Sequence, residues 1–284
     1  MTTDPTTLIS ADALRTLLDS GRPAVLIDTG FDLADVAAGE HAWREGHVPS
    51  SLYLHLDRDL SGPKTGTNGR HPLPTRAAFA ATLGHCGITP QTQVIAFDRQ
   101  GGMYAARLWW MLRWMGHSAA AVLDGGVAAW LAAGGTLVTD TVAPAAAPPY
   151  PERPALAATI ETEALAAGLG RVRLIDARAA ERFRGEVEPL DAAAGHIPGA
   201  LNRFFKDNLD ATSGRFKPAE QLRSEFAPLL GAAGAAAVVH QCGSGVTACH
   251  NLLAMEHAGL AGSALYAGSW SEWSADPLLP VARG

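Results

Sequence analysis

A chain of 284 residues with a net charge of −6 is long enough for two domains and lacks the general excess of cations that a nucleic-acid surface needs. Its 48% apolar content suffices for packed cores and excludes wholesale disorder, while no apolar run approaches the roughly 18 residues of a membrane span. Three cysteines, Cys86, Cys242 and Cys249, are too few for a disulfide framework, and the opening Met1-Thr2-Thr3-Asp4-Pro5-Thr6-Thr7 has neither the basic nor the apolar region of a signal peptide, so a reducing cytoplasm is the expected location.

In chain order, short β-branched runs alternate with helical patterns. Strands are predicted at Ala24–Asp28, Val94–Asp98 and Ala121–Asp124, with a helix over Thr75–Cys86 that opens next to a proline and another carrying Trp109, Trp110 and Trp114 as core residues. Further on, strands are predicted at Arg171–Asp176, Ala236–Gln241 and Ser263–Tyr266, and helices at Pro218–Leu230 and from Thr247 to about His257, the last stopped by Gly259.

The two series are copies of one plan. Val25-Leu26-Ile27-Asp28 matches Arg173-Leu174-Ile175-Asp176, and Gly46-His47-Val48-Pro49-Ser50 matches Gly195-His196-Ile197-Pro198-Gly199. Val94–Asp98 matches Val238–Cys242, and Leu123–Gly126 matches Leu265–Gly268. Four matches in one order imply a duplicated domain. Between the copies, Pro144–Pro154 holds five prolines in eleven residues and reads as an extended linker. The expected organisation is an amino-terminal domain over residues 1–142, a linker over 143–154 and a carboxyl-terminal domain over 155–284. Strand–helix alternation argues for α/β domains with largely parallel sheets, and such sheets bind ligands beyond the carboxyl ends of their strands.

One loop there carries chemistry: Gln241-Cys242-Gly243-Ser244-Gly245-Val246-Thr247. Two glycines let the backbone turn so that several N–H groups face one concavity, and the positive end of the following helix faces the same way. A thiol in that cradle is expected to ionise readily and to be a nucleophile. The first copy reads Asp98-Arg99-Gln100-Gly101-Gly102, with a carboxylate in place of the thiol, so that copy is expected to be inactive.

These features together resemble the two-domain rhodanese-type sulfurtransferases, and Cys242-Gly243-Ser244-Gly245-Val246-Thr247 is similar to the loop of the 3-mercaptopyruvate sulfurtransferases. The Gly-His-Val/Ile-Pro segments, Leu123–Trp130 and Gly268-Ser269-Trp270-Ser271-Glu272-Trp273 fit the same pattern. The resemblance implies tandem rhodanese-like domains and a catalytic Cys242 that carries a persulfide. It implies a loop serine, Ser244, served by a His–Asp pair at His71 and Asp57. Arg182 would grip the substrate carboxylate, and Gly243, Gly245, Val246 and Thr247 would hold charge on the sulfur through their N–H groups. The family pattern has a second arginine shortly before Gly-His-Ile-Pro, where this chain has Leu190-Asp191. Arg184, Arg178 or Arg203 is expected to supply the second substrate contact in its place. The implied reaction moves sulfur from 3-mercaptopyruvate to a thiol such as thioredoxin or glutathione, to cyanide, or to a protein, with no metal or organic cofactor. Thiosulfate as donor and a persulfide carrier without turnover are the alternatives.

Other readings of the same residues carry less. Cys249 shares a helical stripe with Val246, Leu252 and Leu253 and reads as a core thiol, as does Cys86 at a helix end. The spacing of His240, Cys242, Cys249 and His250 is not that of a zinc site. A cysteine phosphatase would need an arginine six positions after the cysteine, in the C-x₅-R pattern, and here that position is Ala248. His47 and His196, recurring in both copies, are expected to make structural hydrogen bonds.

Overall fold

The computed structural model describes residues 4–284, so Met1–Thr3 of the expected first domain and of the opening stretch lie outside the described residues. The chain forms two compact units. The first comprises residues up to Gly62, Pro74–Leu156 and Thr212–Arg215; the second comprises Pro63–Leu73, Ala157–Ala211 and Phe216–Gly284.

This division differs from the sequence expectation in three places, one of them Thr212–Arg215, which falls in the first unit. The proline-rich stretch belongs to the first unit, because its backbone is hydrogen-bonded there: Ala147 N–H donates to Gly84 O at 2.8 Å and Tyr150 N–H to Ala80 O at 2.9 Å. Tyr150 is buried, with its hydroxyl 2.9 Å from His117 Nδ1. The third difference is the segment 63–73, which lies in the first half of the chain but packs in the second unit.

Each unit is built on a five-stranded, all-parallel sheet. In the first, β1 (Leu8–Ile9), β2 (Ala24–Asp28), β3 (Leu52–Tyr53), β4 (Gln93–Phe97) and β5 (Ala120–Leu123) lie in the order β1-β5-β4-β2-β3. In the second, β6 (Ala158–Thr159), β7 (Arg173–Asp176), β8 (Leu201–Asn202), β9 (Val238–Gln241) and β10 (Ala264–Leu265) repeat it as β6-β10-β9-β7-β8. Sequence-matched strands occupy matched positions, and the register agrees: Asp28 stands beside Phe97 and Asp176 beside Gln241.

The order explains where the site forms. In the second unit β7 leads to β8 on one side, while its neighbour β9 leads to β10 on the other. The connections diverge between β7 and β9 and leave a crevice at their carboxyl ends, the switch point where open parallel sheets bind ligands. Beneath it lies an apolar cluster of Leu165, Leu174, Ile197, Val239, Tyr266, Trp270 and Trp273. Both tryptophan N–H groups are satisfied, Trp270 Nε1 by Ala193 O and Trp273 Nε1 by Pro280 O, each at 2.9 Å, as burial of an indole requires. The first unit has its own cluster around Leu26, Ile95, Phe97, Leu123 and Trp130.

The paired histidines act as expected. His47 Nδ1 lies 2.8 Å from Trp43 O and His196 Nδ1 lies 2.8 Å from Phe183 O, each ring stacked on that aromatic partner. Trp109 and Trp110 are buried in the helix Ala105–Trp114. Among the described residues no helix is long and apolar enough to cross a membrane.

Candidate active site

The second unit's loop begins where the fully buried strand β9 ends and runs into the helix Thr247–His257. Gly245 has φ +75, and a Cβ there would stand 2.3 Å from Ala267 O, so both conformation and space demand glycine. The loop carbonyls are tied down: Trp270 N–H donates to Cys242 O at 3.0 Å and Ser271 N–H to Gly243 O at 2.9 Å. Cys242 N–H donates to Ser269 Oγ at 3.1 Å, and that hydroxyl donates to Tyr266 O at 2.9 Å. Ser269 is buried with φ 54, a left-handed conformation costly outside glycine that the surrounding bonds hold in place. No side chain caps the helix at Val246, so its first N–H groups are left to the loop. Cys242 itself is 2% exposed.

The first unit shows what such a loop holds. Asp98 occupies the place of the cysteine, and its carboxylate accepts four backbone N–H groups: Oδ1 from Gln100 and Gly102, both at 2.8 Å, and Oδ2 from Tyr104 at 2.9 Å and Ala105 at 3.0 Å. The loop is a cradle for an anion, and here the anion is part of the chain. In the second unit the shorter Cys242 side chain presents one sulfur to the equivalent turn.

The structure brings several of the expected residues together. Ser244 Oγ is 2.7 Å from His71 Nδ1, with both side chains buried. Arg182, in the short helix Ala180–Phe183 that follows β7, turns toward the loop: a Cβ on Gly243 would lie 3.4 Å from its Nη1. Its Nη2 is held by Glu188 at 2.7 and 2.9 Å and by Asp191 at 2.9 Å. Gly243 and Gly245 are buried in the turn, Val246 is buried before the helix and Thr247 opens it.

The arginines expected as a second substrate contact are engaged with partners of their own. Arg184 is exposed and paired with Glu186 at 2.7 Å. Arg178 is buried in a salt bridge with Asp176 at 2.7 Å, donates to Gly195 O and stacks over Trp270. Arg203 is spent on Glu225 and Asn208. Each of the three candidates for a second arginine therefore has a structural partner of its own. Asp57 belongs to the first unit, in the short helix Leu56–Asp59, where its N–H donates to His55 Nδ1 at 3.1 Å.

Sequence reading passed over Arg70. Its Nη2 would lie 3.1 Å from a Cβ on Gly243, and its Nη1 is 2.6 Å from Asp191 Oδ1. The only sequence signal was its position next to His71, since nothing in periodicity places 63–73 beside the loop.

Cys249 is buried with its thiol donating to Gly245 O at 3.3 Å, a core role as expected. His240 Nε2 faces Met255 Sδ, and burial pushes this imidazole down to about 3, so it stays neutral. Among the described residues no group of three or more His, Cys, Asp or Glu is placed to hold a metal ion.

Known proteins resemble the chain along most of its length. The rhodanese-like domain family matches residues 10–133 and 161–276. A Pseudomonas aeruginosa protein named "Probable 3-mercaptopyruvate sulfurtransferase" is 46% identical over 264 residues, covering 92% of each chain. A thiosulfate sulfurtransferase of Gallus gallus is 31% identical over 282 residues, covering 94% of this chain and 92% of its own. Among solved structures, the 3-mercaptopyruvate sulfurtransferase from Leishmania major superposes with a TM-score of 0.84 at 29% identity, over 95% of this chain and 74% of that one.

Proposed function

Because the chain belongs to the rhodanese-like family and is a two-domain sulfurtransferase, we propose that it moves sulfur from 3-mercaptopyruvate through a persulfide on Cys242 to a thiol acceptor of the thioredoxin or glutathione kind, or to cyanide. The observation that carries this reading is the pair of equivalent loops. One holds the Asp98 carboxylate on four N–H groups, and the other places a cysteine at the same point with its own cradle open to an anionic sulfur.

In the first step the Cys242 thiolate attacks the sulfur of the donor. The new S–S bond forms as the C–S bond breaks, and the electron pair leaves with carbon as pyruvate enolate. Splitting the transfer this way replaces one difficult displacement by two easier ones. The enolate needs a proton at carbon, and Ser244, in contact with His71, is the group proposed to deliver it. Asp57 is proposed to support His71, a role that rests on the family pattern. The loop N–H groups from Gly243 to Thr247 hold charge on the inner and outer sulfur. In the second step the acceptor attacks the outer sulfur, and Cys242 leaves as thiolate.

The test is steady-state transfer from 3-mercaptopyruvate and thiosulfate, side by side, to cyanide and a dithiol. The expected result is a kcat/KM at least about tenfold higher for 3-mercaptopyruvate, lost in Cys242→Ser. A preference for thiosulfate would replace the donor, and stoichiometric persulfide without turnover would replace the enzyme by a carrier.

A further inference from the structure

The two copies differ in length between one aromatic ring and the histidine stacked on it. In the first unit Trp43 stacks on His47 and offers it a carbonyl from four residues earlier, while in the second Phe183 does both for His196 from thirteen residues earlier, nine more. The additional residues leave the second unit as a loop over 185–195, and the segment 280–284 crosses its base. We infer that this segment is the clasp of the loop and that Arg283 is a positioning residue of the Cys242 site, closing the loop so that Glu188 and Asp191 keep Arg182 in place. What Arg182 does for a donor rests on the sulfur-transfer reading above; the clasp rests on geometry.

The neck of the loop closes on two glycines. A Cβ on Gly185, at φ +78, would stand 3.0 Å from Gly195 N and 3.2 Å from Arg283 Cγ. One on Gly195, at φ +128, would stand 2.3 Å from Ala282 O and 3.2 Å from the same Arg283 Cγ. Both ends therefore require glycine, and the Arg283 stem lies across the two. A surface loop of this size with touching ends is an Ω-loop. Hydrogen bonds fasten the clasp on either side of the neck. His196 N–H donates to Ala282 O at 2.8 Å, Ala282 N–H to His196 O at 2.9 Å and Gly284 N–H to Arg184 O at 3.1 Å. Arg283 Nε donates to Ala194 O at 3.1 Å. The other end of the clasp is fixed to the core, where Pro280 O accepts Trp273 Nε1. In the first unit His47 makes the matching bridge to Val138, and the helix Ala38–Glu45 runs directly into Gly46. The bridge is thus common to both copies, and the ties from Arg283 and Gly284 serve the longer loop.

From this neck the loop turns two acids inward. The side chains of Glu188 and Asp191 are 3% and 2% exposed, and both hold Arg182 Nη2. Glu188 Oε1 also accepts the N–H groups of Leu190 and Asp191, at 3.1 and 3.2 Å, so one carboxylate fixes the guanidinium and the backbone of the tip. Val187 and Leu190 are half exposed, so the tip gains little from apolar packing. Its position depends on the ion pairs and on the closed neck, and opening the neck would return conformational freedom to the acids that hold Arg182.

The test compares the full chain with Arg283→Ala, with Arg283→Lys and with a chain ending at Ala282, which loses the ties of Arg283 and Gly284 together. Hydrogen exchange reads the loop directly. Backbone N–H groups of residues 186–194 are expected to exchange at least about fivefold faster in the shortened chain and in Arg283→Ala, with β9 and the helix Thr247–His257 unchanged. Arg283→Lys keeps the apolar stem and is expected to retain most of the protection. Phenylglyoxal, which modifies guanidinium groups, reads Arg182. Its modification, located by mass spectrometry, is expected to be at least about threefold faster once the neck is open. In turnover, KM for 3-mercaptopyruvate is expected to rise about fivefold, with kcat and the rate of Cys242 alkylation by iodoacetamide within about twofold of wild type. Unchanged exchange in the shortened chain overturns the clasp. Faster exchange with Arg182 modified at the wild-type rate overturns the positioning role. So does a parallel loss of kcat, alkylation rate and thermal stability, which would mean that 280–284 only supports the fold. A full chain that fails to turn over 3-mercaptopyruvate would defeat the donor assignment, yet exchange and Arg182 modification would still decide the clasp.

Discussion

A single residue separates the two copies chemically, and the separation can be read atom by atom. Asp98 is held by four N–H donors, so both of its oxygens are needed as acceptors. Asp98→Asn would turn an NH₂ group toward the N–H of Tyr104 and Ala105 or of Gln100 and Gly102, donor against donor. The expected cost is about 3 kcal/mol of stability in the first unit, measured by denaturant unfolding, with persulfide formation at Cys242 retained. Stability within error of wild type would show that the loop does not require an anion. In the second unit the corresponding demand is met by sulfur. The chemistry of this position was legible in the sequence, because Cys-Gly-Ser-Gly after a β-branched run implies a turn with N–H groups facing inward. Arg70 was not legible, because its place depends on Ser271 and Asp191, some 201 and 121 residues further along.

At the scale of elements, the strands paired with β4 and β9 carry an aspartate at matched positions, Asp28 in β2 and Asp176 in β7. Their environments differ. Asp176 is neutralised by Arg178 two residues on. Asp28 has Gly30 at that position, accepts its N–H at 2.8 Å and leaves Oδ2 buried without a partner. Burial, opposed by the Gly30 bond and by Arg99, pushes the Asp28 carboxyl up to about 6. A raised folded value means that the native state binds the proton more tightly. Asp28 therefore costs nothing below about pH 4, and its penalty grows as pH rises to about 6 and persists above it. Asp28→Asn is expected to stabilise the protein by up to about 3 kcal/mol at pH 7.5 and to have little effect at about pH 3.5. A variant equally stabilised at both pH values would remove the electrostatic explanation. Element boundaries show why sequence patterns stop short. The helix Thr247–His257 stands where its pattern and Gly259 put it, whereas the strand expected from Ala236 starts at Val238, after a 3₁₀ turn of alanines that lack the branching of a strand residue. The two-residue strands β1, β3, β6 and β8 are too short to show any period.

For the whole molecule, duplication supplied two sheets of one order, and one of them kept a nucleophile. Internal repetition, strand alternation and the mid-chain prolines made that organisation readable from residues alone. The exchange of segment 63–73 into the second unit was not, because unit membership follows contacts such as Gly69 against Gly268 rather than chain order. The consequence is functional: His71 and Arg70 both reach the Cys242 loop from the first half of the chain.

The central claim is a persulfide on Cys242 formed at the expense of 3-mercaptopyruvate. The most direct measurement mixes the protein with a stoichiometric amount of this donor in the absence of any acceptor, then determines the intact mass, the modified peptide and the pyruvate released. The account predicts the mass of one added sulfur atom on the peptide containing Cys242 and about one equivalent of pyruvate, with neither in Cys242→Ser. Sulfur on Cys86 or Cys249, or pyruvate release that survives Cys242→Ser, would contradict it.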